Sequence, residues 1–311
     1  MSNIIAVVWD FDKTLIGSYM QEPIFNKFGV DGSAFWKEVN ALPEKYKKEQ
    51  GVRVNKDTIY LNHFINSVKK GVFPGLNNEM LRELGKELVF YNGLPALMDI
   101  TKRMIADDPK YHEYDIKVEH YIVSTGFTEM IKGSDVYPYV SGIWGCELIE
   151  APDENGNMII SEIGYTIDNT TKTRALFEIN KGVGVYENVD VNTKIPAHLR
   201  RVRFENMIYI ADGPSDVPAF STLNKSGGYT FAIYPHNDSK AFEQVEQLRK
   251  DGRINMYAEA DYSEGTTAYM WITSKIKECA ERIRNQEREK LQSSISDIPK
   301  HLTYKEYSDY G

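Results

Sequence analysis

The chain of 311 residues has few cysteines and lacks any long hydrophobic run. Its two cysteines, Cys146 and Cys279, are far apart in the sequence, so we expect neither a disulfide framework nor a cysteine-rich metal site. No stretch approaches the roughly 20 apolar residues that a membrane-spanning helix needs. The first apolar run is too short for a signal peptide, and no basic region precedes it. These absences predict a soluble, cytoplasmic protein in a reducing compartment, with no membrane contact.

The chain also lacks an excess of positive charge. Its 37 lysines and arginines are outnumbered by 45 acidic residues, which gives a formal net charge of −8. This balance argues against general nucleic-acid binding, because such proteins present a basic surface to phosphates. The basic cluster Arg200-Arg201-Val202-Arg203 is a local exception, which we interpret as a solvated face or loop.

Two acidic residues, Asp10 and Asp12, follow the apolar run Ile4-Ile5-Ala6-Val7-Val8-Trp9. The run predicts a buried parallel strand, and open α/β sheets bind ligands at the carboxyl ends of such strands. Two ionised carboxylates this close repel each other unless a cation lies between them, and Mg²⁺ is the simplest such cation because it prefers oxygen ligands. The alternative is that both residues only cap a strand-to-helix turn, where Asp is common.

Residues 17–88 are expected to form a helical insertion after this strand. Lys, Glu, Asn and aromatic residues are frequent there, and apolar residues recur at helical spacing without strand-like alternation. The turn Tyr91-Asn92-Gly93-Leu94-Pro95 then marks the return to the α/β core. Aromatic side chains of the insertion are interpreted as its packed interior rather than as the lining of a pocket. These are Phe25, Phe28, Phe35, Trp36, Tyr60 and Phe64.

A second predicted strand, residues 119–123, ends in Ser124-Thr125-Gly126. Two hydroxyls followed by a glycine can donate hydrogen bonds to a phosphate, although Ser and Thr also cap helices without any ligand. Further along, an Asn155-Gly156 turn predicts a β-hairpin within residues 143–163. Lys172 then lies near the start of a predicted helix, where it either holds an anionic group or is an ordinary surface lysine.

A third apolar strand, residues 206–211, ends in Asp212-Gly213-Pro214-Ser215-Asp216. Glycine permits a tight turn after the strand, and a second acid follows within one turn. Asp212 is placed to complete a cation site with Asp10. For Asp216 two roles remain open: it ligates the same metal through water, or it orients the loop.

Together these motifs resemble the haloacid dehalogenase (HAD) superfamily, and within it the phosphatases similar to phosphoserine phosphatase. The signature at Asp10–Thr14, then Ser124, Lys172 and the Asp212–Asp216 loop, occur in the family's order along nearly the whole chain. The resemblance implies an α/β fold with a Rossmann-like, doubly wound parallel sheet. Its core would comprise residues 1–16 plus 89–311, with residues 17–88 as an inserted helical type 1 cap domain, besides the β-hairpin.

The resemblance further implies hydrolysis of a small phosphomonoester with Mg²⁺ as cofactor. Asp10 would be the nucleophile that forms an aspartyl-phosphate, and Asp12 the general acid and base, with its backbone carbonyl as a metal ligand. The implied phosphate-binding residues are Ser124, Thr125, Gly126 and Lys172, and the implied metal ligands are Asp10, Asp12, Asp212 and Asp216. The alternatives are a phosphotransferase or phosphomutase of the same superfamily, or a regulatory protein that binds a phosphorylated ligand without turnover.

The identity of the phosphorylated metabolite does not follow from the motifs. Phosphoserine phosphatases use an acidic residue shortly after the signature to contact the substrate amine, whereas the nearest candidate here, Glu22, is farther along. At the other end of the chain, Ile272, Ile276, Cys279 or Ala280, and Ile283 predict a helix that packs on the core. For the tyrosine-rich segment 304–310, disorder and local docking are both open.

Overall fold

The computed structural model describes residues 3–296. Seven strands form one sheet in the order β4-β3-β2-β1-β5-β6-β7. Neighbouring strands are parallel except for β3 and β4, which form the predicted hairpin. The strands are β1 (Ile4–Trp9), β2 (Lys117–Phe127), β3 (Val140–Pro152), β4 (Met158–Tyr165), β5 (Met207–Ala211), β6 (Tyr229–Tyr234) and β7 (Met256–Glu259). The predicted α/β, Rossmann-like fold class is confirmed.

Helices connect these strands and flank the sheet. Within the insertion they are α1 (Glu22–Phe28), α2 (Gly32–Gln50), α3 (Ile59–Lys69) and α4 (Asn78–Gly85). After it follow α5 (Ala96–Ala106), α6 (Pro109–His112), α7 (Thr128–Gly133), α8 (Thr171–Lys181), α9 (Val217–Lys225), α10 (Ser239–Lys250) and α11 (Thr267–Ser296). One group, α8 and α9, packs against β2, β5 and β6, and a second, α5 and α11, packs against β1, β2, β5 and β7.

Strand β1 lies at the centre of the sheet, between β2 and β5. Residues Ile5 to Trp9 have no exposed surface, which explains why the strand is uniformly apolar rather than alternating. The chain runs from β1 to β2 on one side and returns to β5 on the other, so the strand order reverses at β1. In doubly wound sheets a crevice opens at the carboxyl ends of the strands flanking this reversal. The residues after β1 and β5 therefore meet at that crevice.

Helix α11 packs along the sheet through the apolar stripe expected from the sequence. Ile272, Ile276, Cys279 and Ala280 are fully buried, and Ile283 is nearly so. The tyrosine-rich segment 304–310 lies outside the described residues. Among residues 3–296, no helix combines the length and the apolar character needed to cross a bilayer.

The described residues 17–88 form four helices and no strand, as expected for this segment. Helix α4 packs on α7 and α3 contacts β4, so both touch elements from the rest of the chain. The interior of the segment is an aromatic cluster in which Phe25, Phe35, Phe64 and Phe73 contact one another.

The interpretation of the basic cluster as a solvated face is wrong for Arg201. Its guanidinium donates hydrogen bonds to both carboxylate oxygens of Glu119, at 2.7 and 2.6 Å, and to the hydroxyl of Tyr121 at 2.5 Å. Its side chain is only 11% exposed. The arginine thus anchors the loop before β5 to strand β2, a contact between distant residues that local charge patterning does not reveal.

Candidate functional site

Three carboxylates converge at the crevice beyond the ends of β1 and β5. Asp10 directly follows β1, Asp212 directly follows β5, and Asp216 lies one turn later. An oxygen of each lies within 4.8 Å of an oxygen of the other two. The backbone N–H of Asp10 donates to the carbonyl of Ile210 at 2.9 Å, which ties the ends of the two strands together. The sheet topology therefore brings together acids that are about 200 residues apart in sequence.

Lys172, the second residue of α8, lies between two of these acids. Its Nζ donates to Oδ1 of Asp10 and to Oδ1 of Asp216, both at 2.7 Å. The lysine is 1% exposed, so the surface-lysine alternative is wrong. Asp216 also accepts hydrogen bonds from the hydroxyl of Tyr209 at 2.5 Å and from that of Ser215 at 2.7 Å. These contacts hold the Asp216 carboxylate in one orientation.

Gly213 makes the turn that brings the Asp216 segment back toward Asp10. Its φ of 153° and ψ of −117° are accessible essentially only to glycine. A Cβ atom at this position would lie 2.4 Å from Nε2 of Gln244 in α10. The backbone conformation therefore requires glycine immediately after Asp212, whereas the Gln244 side chain could move aside.

Asp12 lies beside the three-acid cluster with its carboxylate turned toward the insertion. Its Oδ1 accepts a hydrogen bond from the backbone N–H of Met20 at 2.9 Å, and its side chain is partly exposed in the cavity. The sulfur of Met20 in turn accepts from the N–H of Phe127 at 3.0 Å, at the end of β2. Met20 therefore connects Asp12 to the neighbouring strand.

Desolvation and mutual repulsion shift the pKa values of these acids upward. Burial raises the pKa of Asp10 to about 6, opposed by Lys172 and reinforced by Asp216. Desolvation and the charge of Asp10 raise the pKa of Asp12 to about 8, against the hydrogen bond from Met20. Desolvation, followed by the charges of Asp10 and Asp216, raises the pKa of Asp212 to about 7. Burial tends to lower the pKa of Lys172, but the carboxylates of Asp10 and Asp216 raise it above its ordinary value.

The acids form one end of a cavity of about 660 Å³. Asp10, Asp12, Asp212, Lys13 and Lys172 all line it. Lys13 bonds through Nζ to the hydroxyl of Tyr19 at 3.0 Å, so it stays at the cavity wall. The cavity thus offers both carboxylates and ammonium groups to a ligand.

Ser124, Thr125 and Gly126, predicted to follow the second strand, lie within the last residues of β2, and of these three only Thr125 lines this cavity. Ser124 is 1% exposed, and its Oγ accepts the backbone N–H of Gly126 at 3.0 Å. Met20 fills the space beside Gly126, where a Cβ atom would lie 2.3 Å from the Met20 methyl carbon. The donors of Ser124 and Gly126 therefore lie behind the wall that Thr125 presents to the cavity.

A second cavity of about 630 Å³ opens toward α2 and α3. It shares Asp12, Tyr19, Asp57 and Thr125 with the first. Trp36 and Tyr60 line it, although both also pack with the aromatic core of the insertion as expected. Glu22 is exposed and lines neither of the two cavities.

The oxygen donors of Asp10, Asp212 and Asp216 suit a hard divalent cation. Mg²⁺ and Ca²⁺ prefer carboxylate oxygens, and a cation here would relieve the repulsion that raises the pKa values of Asp10 and Asp212. The carboxylate of Asp12 is not part of this three-acid cluster. Its side chain is thus left to contact another group, in keeping with the expectation that Asp12 ligates through its backbone carbonyl.

Three residues of this region were not singled out from the sequence. Tyr209 lies within the apolar strand β5 and reads there as core, although its hydroxyl bonds to Asp216. Asp57 lines both cavities and accepts the N–H of Asn169 at 3.3 Å, a contact between residues 112 positions apart. Gln21 lies one residue after Met20 and lines the second cavity. Only the short distance from Gln21 to the Asp10–Thr14 signature could have drawn attention to it.

Comparisons with known proteins place the chain in a wider context. No family model matches it. A protein of Borreliella burgdorferi, described as uncharacterized, is 40% identical over 287 residues, which cover 88% of this chain and 97% of that protein. Among solved structures, a HAD family hydrolase from Salmonella enterica subsp. enterica serovar Typhi matches with a TM-score of 0.52 and 12% identity, covering 88% of this chain and 71% of that one.

A structure of phosphoserine phosphatase in its apo form also matches, at 13% identity and a TM-score of 0.47, over 81% of this chain and 92% of that one. The chain belongs to the same family as the Borreliella burgdorferi protein, and its fold is that of the HAD superfamily, as the motifs predicted.

Proposed function

We propose that this protein is a phosphatase that hydrolyses small phosphomonoesters, with Mg²⁺ as cofactor and an aspartyl-phosphate on Asp10 as intermediate. The observation that carries the proposal is the position of Asp10. Its carboxylate is held by Lys172 at 2.7 Å at the end of a cavity, with Asp12 two residues away and two further acids within reach. A nucleophile, a proton carrier and a cation for the phosphoryl oxygens are thus adjacent.

In the first half of the reaction an Asp10 oxygen attacks phosphorus, and the bond from phosphorus to the leaving oxygen breaks. Lys172 contacts the phosphoryl oxygens and offsets their negative charge, which matters because phosphoryl transfer depends mainly on positioning and electrostatics. Asp12 donates a proton to the leaving oxygen. Its pKa of about 8, raised by desolvation and by Asp10, keeps the carboxyl group protonated at neutral pH and suits it to that step.

In the second half Asp12, now a carboxylate, removes a proton from water. The water oxygen attacks phosphorus, the bond from phosphorus to Asp10 breaks, and inorganic phosphate leaves. Asp12 has regained its proton and Asp10 its carboxylate, so the cycle is balanced. The hydrogen bond from the Met20 N–H holds Asp12 in place through both halves.

Asp10 and Asp212, with the backbone carbonyl of Asp12, would hold the Mg²⁺. Bound there, the ion would neutralise charge on the phosphoryl oxygens. Of the two roles open for Asp216, its bonds to Lys172, Tyr209 and Ser215 favour orientation of the loop over ligation of the metal through water.

We further propose that residues 17–88 act as a cap over the active site. Two contacts join this segment to the loop before α8: Asn55 Nδ2 donates to Asp168 Oδ2 at 2.9 Å, and the Asn169 N–H donates to Asp57 at 3.3 Å. A segment closed over the cavity would exclude water from the first step, and opening it would release the alcohol. The substrate expected for such a site is a small phosphorylated metabolite.

The test is phosphate release by the purified protein from para-nitrophenyl phosphate, with Mg²⁺ or with EDTA. We expect turnover only with the metal, and we expect Asp10→Asn to reduce kcat by about 10⁴-fold or more, since removal of a catalytic nucleophile has effects of that size. Asp107→Asn, at an exposed position after α5, is the matched control and should leave kcat unchanged. Full turnover by Asp10→Asn would refute the mechanism, and transfer of phosphate to an added alcohol without release would indicate a phosphotransferase.

A further inference from the structure

The second cavity, called here the leaving-group chamber, adjoins the catalytic cavity at Asp12. The two cavities share Asp12, Tyr19, Asp57 and Thr125, so these residues lie between them. In the proposed reaction Asp12 protonates the leaving oxygen. The rest of the leaving alcohol must then extend from Asp12, and the chamber of about 630 Å³ is the space that receives it.

Aromatic rings form one wall of the leaving-group chamber. The ring centroid of Trp36 lies 5.5 Å from that of Tyr19 and 5.7 Å from that of Tyr60. The hydroxyl of Tyr60 donates to the carbonyl of Thr125 at 2.5 Å, and that of Tyr19 accepts from Lys13 at 3.0 Å. The rings are therefore fixed before a ligand arrives. A fixed aromatic wall favours a planar ring, which can stack on it or meet it edge to face.

Gln21 contributes an unsatisfied acceptor to the same chamber. The residue is 2% exposed and lines the chamber, yet its Oε1 is buried without a hydrogen-bond partner. Its backbone carbonyl accepts from the N–H groups of Ile24 and Phe25 in the first turn of α1, which fixes its position. Buried polar atoms are nearly always hydrogen-bonded, so this acceptor is available to a ligand in the chamber that carries an O–H or N–H group.

We propose that the leaving-group chamber selects phosphomonoesters whose leaving alcohol carries a planar ring with an O–H or N–H donor. The ring packs on Trp36, and the donor bonds to Oε1 of Gln21. This inference rests on the proposed function for the placement of the phosphate. The chemistry of the chamber does not depend on the proposed function, because it follows from the aromatic wall and the unsatisfied amide.

The experiment compares phosphate esters whose leaving alcohols have similar reactivity. Cyclohexylmethyl phosphate, benzyl phosphate and meta-hydroxybenzyl phosphate differ in planarity and in the donor, and the meta hydroxyl does not promote spontaneous loss of phosphate. We expect kcat/KM for benzyl phosphate to exceed that for the cyclohexylmethyl ester by about fivefold. The meta-hydroxybenzyl ester should exceed benzyl phosphate by about tenfold, because it satisfies a buried acceptor.

Two variants separate the two contacts. Gln21→Leu should bring the ratio of hydroxybenzyl to benzyl ester to about one, and Trp36→Leu should remove the preference for benzyl over cyclohexylmethyl. Gln50→Leu makes the same substitution at the exposed end of α2 and should preserve both ratios. Each ratio is measured on one preparation, so a smaller folded fraction in a variant cancels out.

Equal kcat/KM for all the esters, or a donor preference that survives Gln21→Leu, would overturn the inference while leaving phosphatase activity intact. Failure to release phosphate from any ester would instead refute the proposed function. In that case calorimetric Kd values for the same esters decide about the chamber. Tighter binding of a hydroxybenzyl ester that depends on Gln21 supports it, and equal Kd values refute it.

Discussion

Trp9 is the last residue of β1 and Asp10 follows it, yet the two belong to different buried polar groups. The group around Trp9 is neutral, whereas the group around Asp10 is charged. The indole N–H of Trp9 donates to Nδ1 of His120 at 3.0 Å. The other ring nitrogen of His120 lies 2.9 Å from the hydroxyl of Thr101 and 3.1 Å from the carbonyl of Met98. Burial, with a smaller effect from Lys102, lowers the pKa of His120 to about 3. This group is neutral, and every donor in it has an acceptor.

One residue further along, the site contains more charge than it can pair. The carboxyl groups of Asp10, Asp212 and Asp216 cluster there, and Lys172 is the ammonium group that bonds to two of them. Burial raises the pKa of the site acids for the same reason that it lowers the pKa of His120, because the charged form loses its hydration. The histidine network is neutral by itself, whereas the acid cluster must take up protons or bind a cation to balance its charge. Buried charges that are not fully paired are typical of functional sites, whereas fully hydrogen-bonded neutral groups are typical of structural ones.

Loss of the proton that Asp12 donates should have the largest effect on activity. We expect Asp12→Asn to lower kcat/KM for an alkyl phosphate by about 10² to 10⁴-fold, since an amide cannot supply a proton to a basic leaving oxygen. The loss in the phosphorylation step should be much smaller for para-nitrophenyl phosphate, whose leaving group needs little protonation. Rapid-mixing kinetics with both esters on the variant measure this difference. An equal loss for the two esters would mean that Asp12 only positions the substrate.

Replacement of Lys172, whose ammonium group lies between Asp10 and Asp216, should lower the free energy of unfolding. Lys172→Met leaves the carboxylates of Asp10 and Asp216 without their shared partner, and breaking a buried ion pair in this way costs about 3–5 kcal/mol. The free energy of unfolding from urea titration at pH 7.5 measures the cost. Lys225→Met, at the exposed end of α9, is the control and should change stability by less than about 0.5 kcal/mol. A similar small change in Lys172→Met would show that the cluster is not repulsive.

The part of the site that follows strand ends could be predicted from the sequence. Asp10 and Asp212 are each the first polar residue after a wholly apolar strand, and parallel strands end at the same edge of the sheet, so their convergence follows from local pattern plus topology. Other local patterns predicted the hairpin, from the Asn155-Gly156 turn, and the packed helix α11, from its apolar stripe, whereas the family resemblance implied the Rossmann-like fold. Lys172 needed the family resemblance as well, because a lysine early in a helix is usually solvated.

The remainder could not be predicted, because it depends on which distant side chains meet. The sequence does not distinguish Thr125, which lines both cavities, from Ser124, which lies behind the wall. Trp36 has the same helical spacing as its core neighbours, and only the packing of α2 against α3 leaves one of its faces on the chamber. The unsatisfied state of Gln21 is a property of the folded structure alone.

Binding of Mg²⁺ should balance the charge of the acid site and so remove its difference from the neutral His120 network. Because the folded pKa values of Asp10 and Asp212 are raised to about 6 and 7, the stability of the metal-free protein should decline as pH rises through those values. Mg²⁺ at 100 times its Kd should restore about 2.7 kcal/mol. The gain should be larger at pH 8 than at pH 5, where protons compete for the carboxylates. Thermal unfolding with Mg²⁺ or EDTA tests this, and Asp212→Asn should abolish most of the gain.

The histidine network should give the opposite dependence on pH. The folded pKa of His120 lies below its unfolded value of 6.5, so its contribution to stability is complete above pH 6.5 and is lost as pH falls toward about 3. Protonation would set an N–H against the indole N–H of Trp9. One such group changes the free energy of unfolding by about 1.4 kcal/mol per pH unit between these limits. His120→Gln should therefore flatten the dependence of stability on pH between 6 and 4, measured by urea titration, whereas His198→Gln, at a histidine outside this network, should not. An unchanged slope in His120→Gln would mean that this histidine is charged in the folded protein, and the contrast with Asp10 would no longer hold.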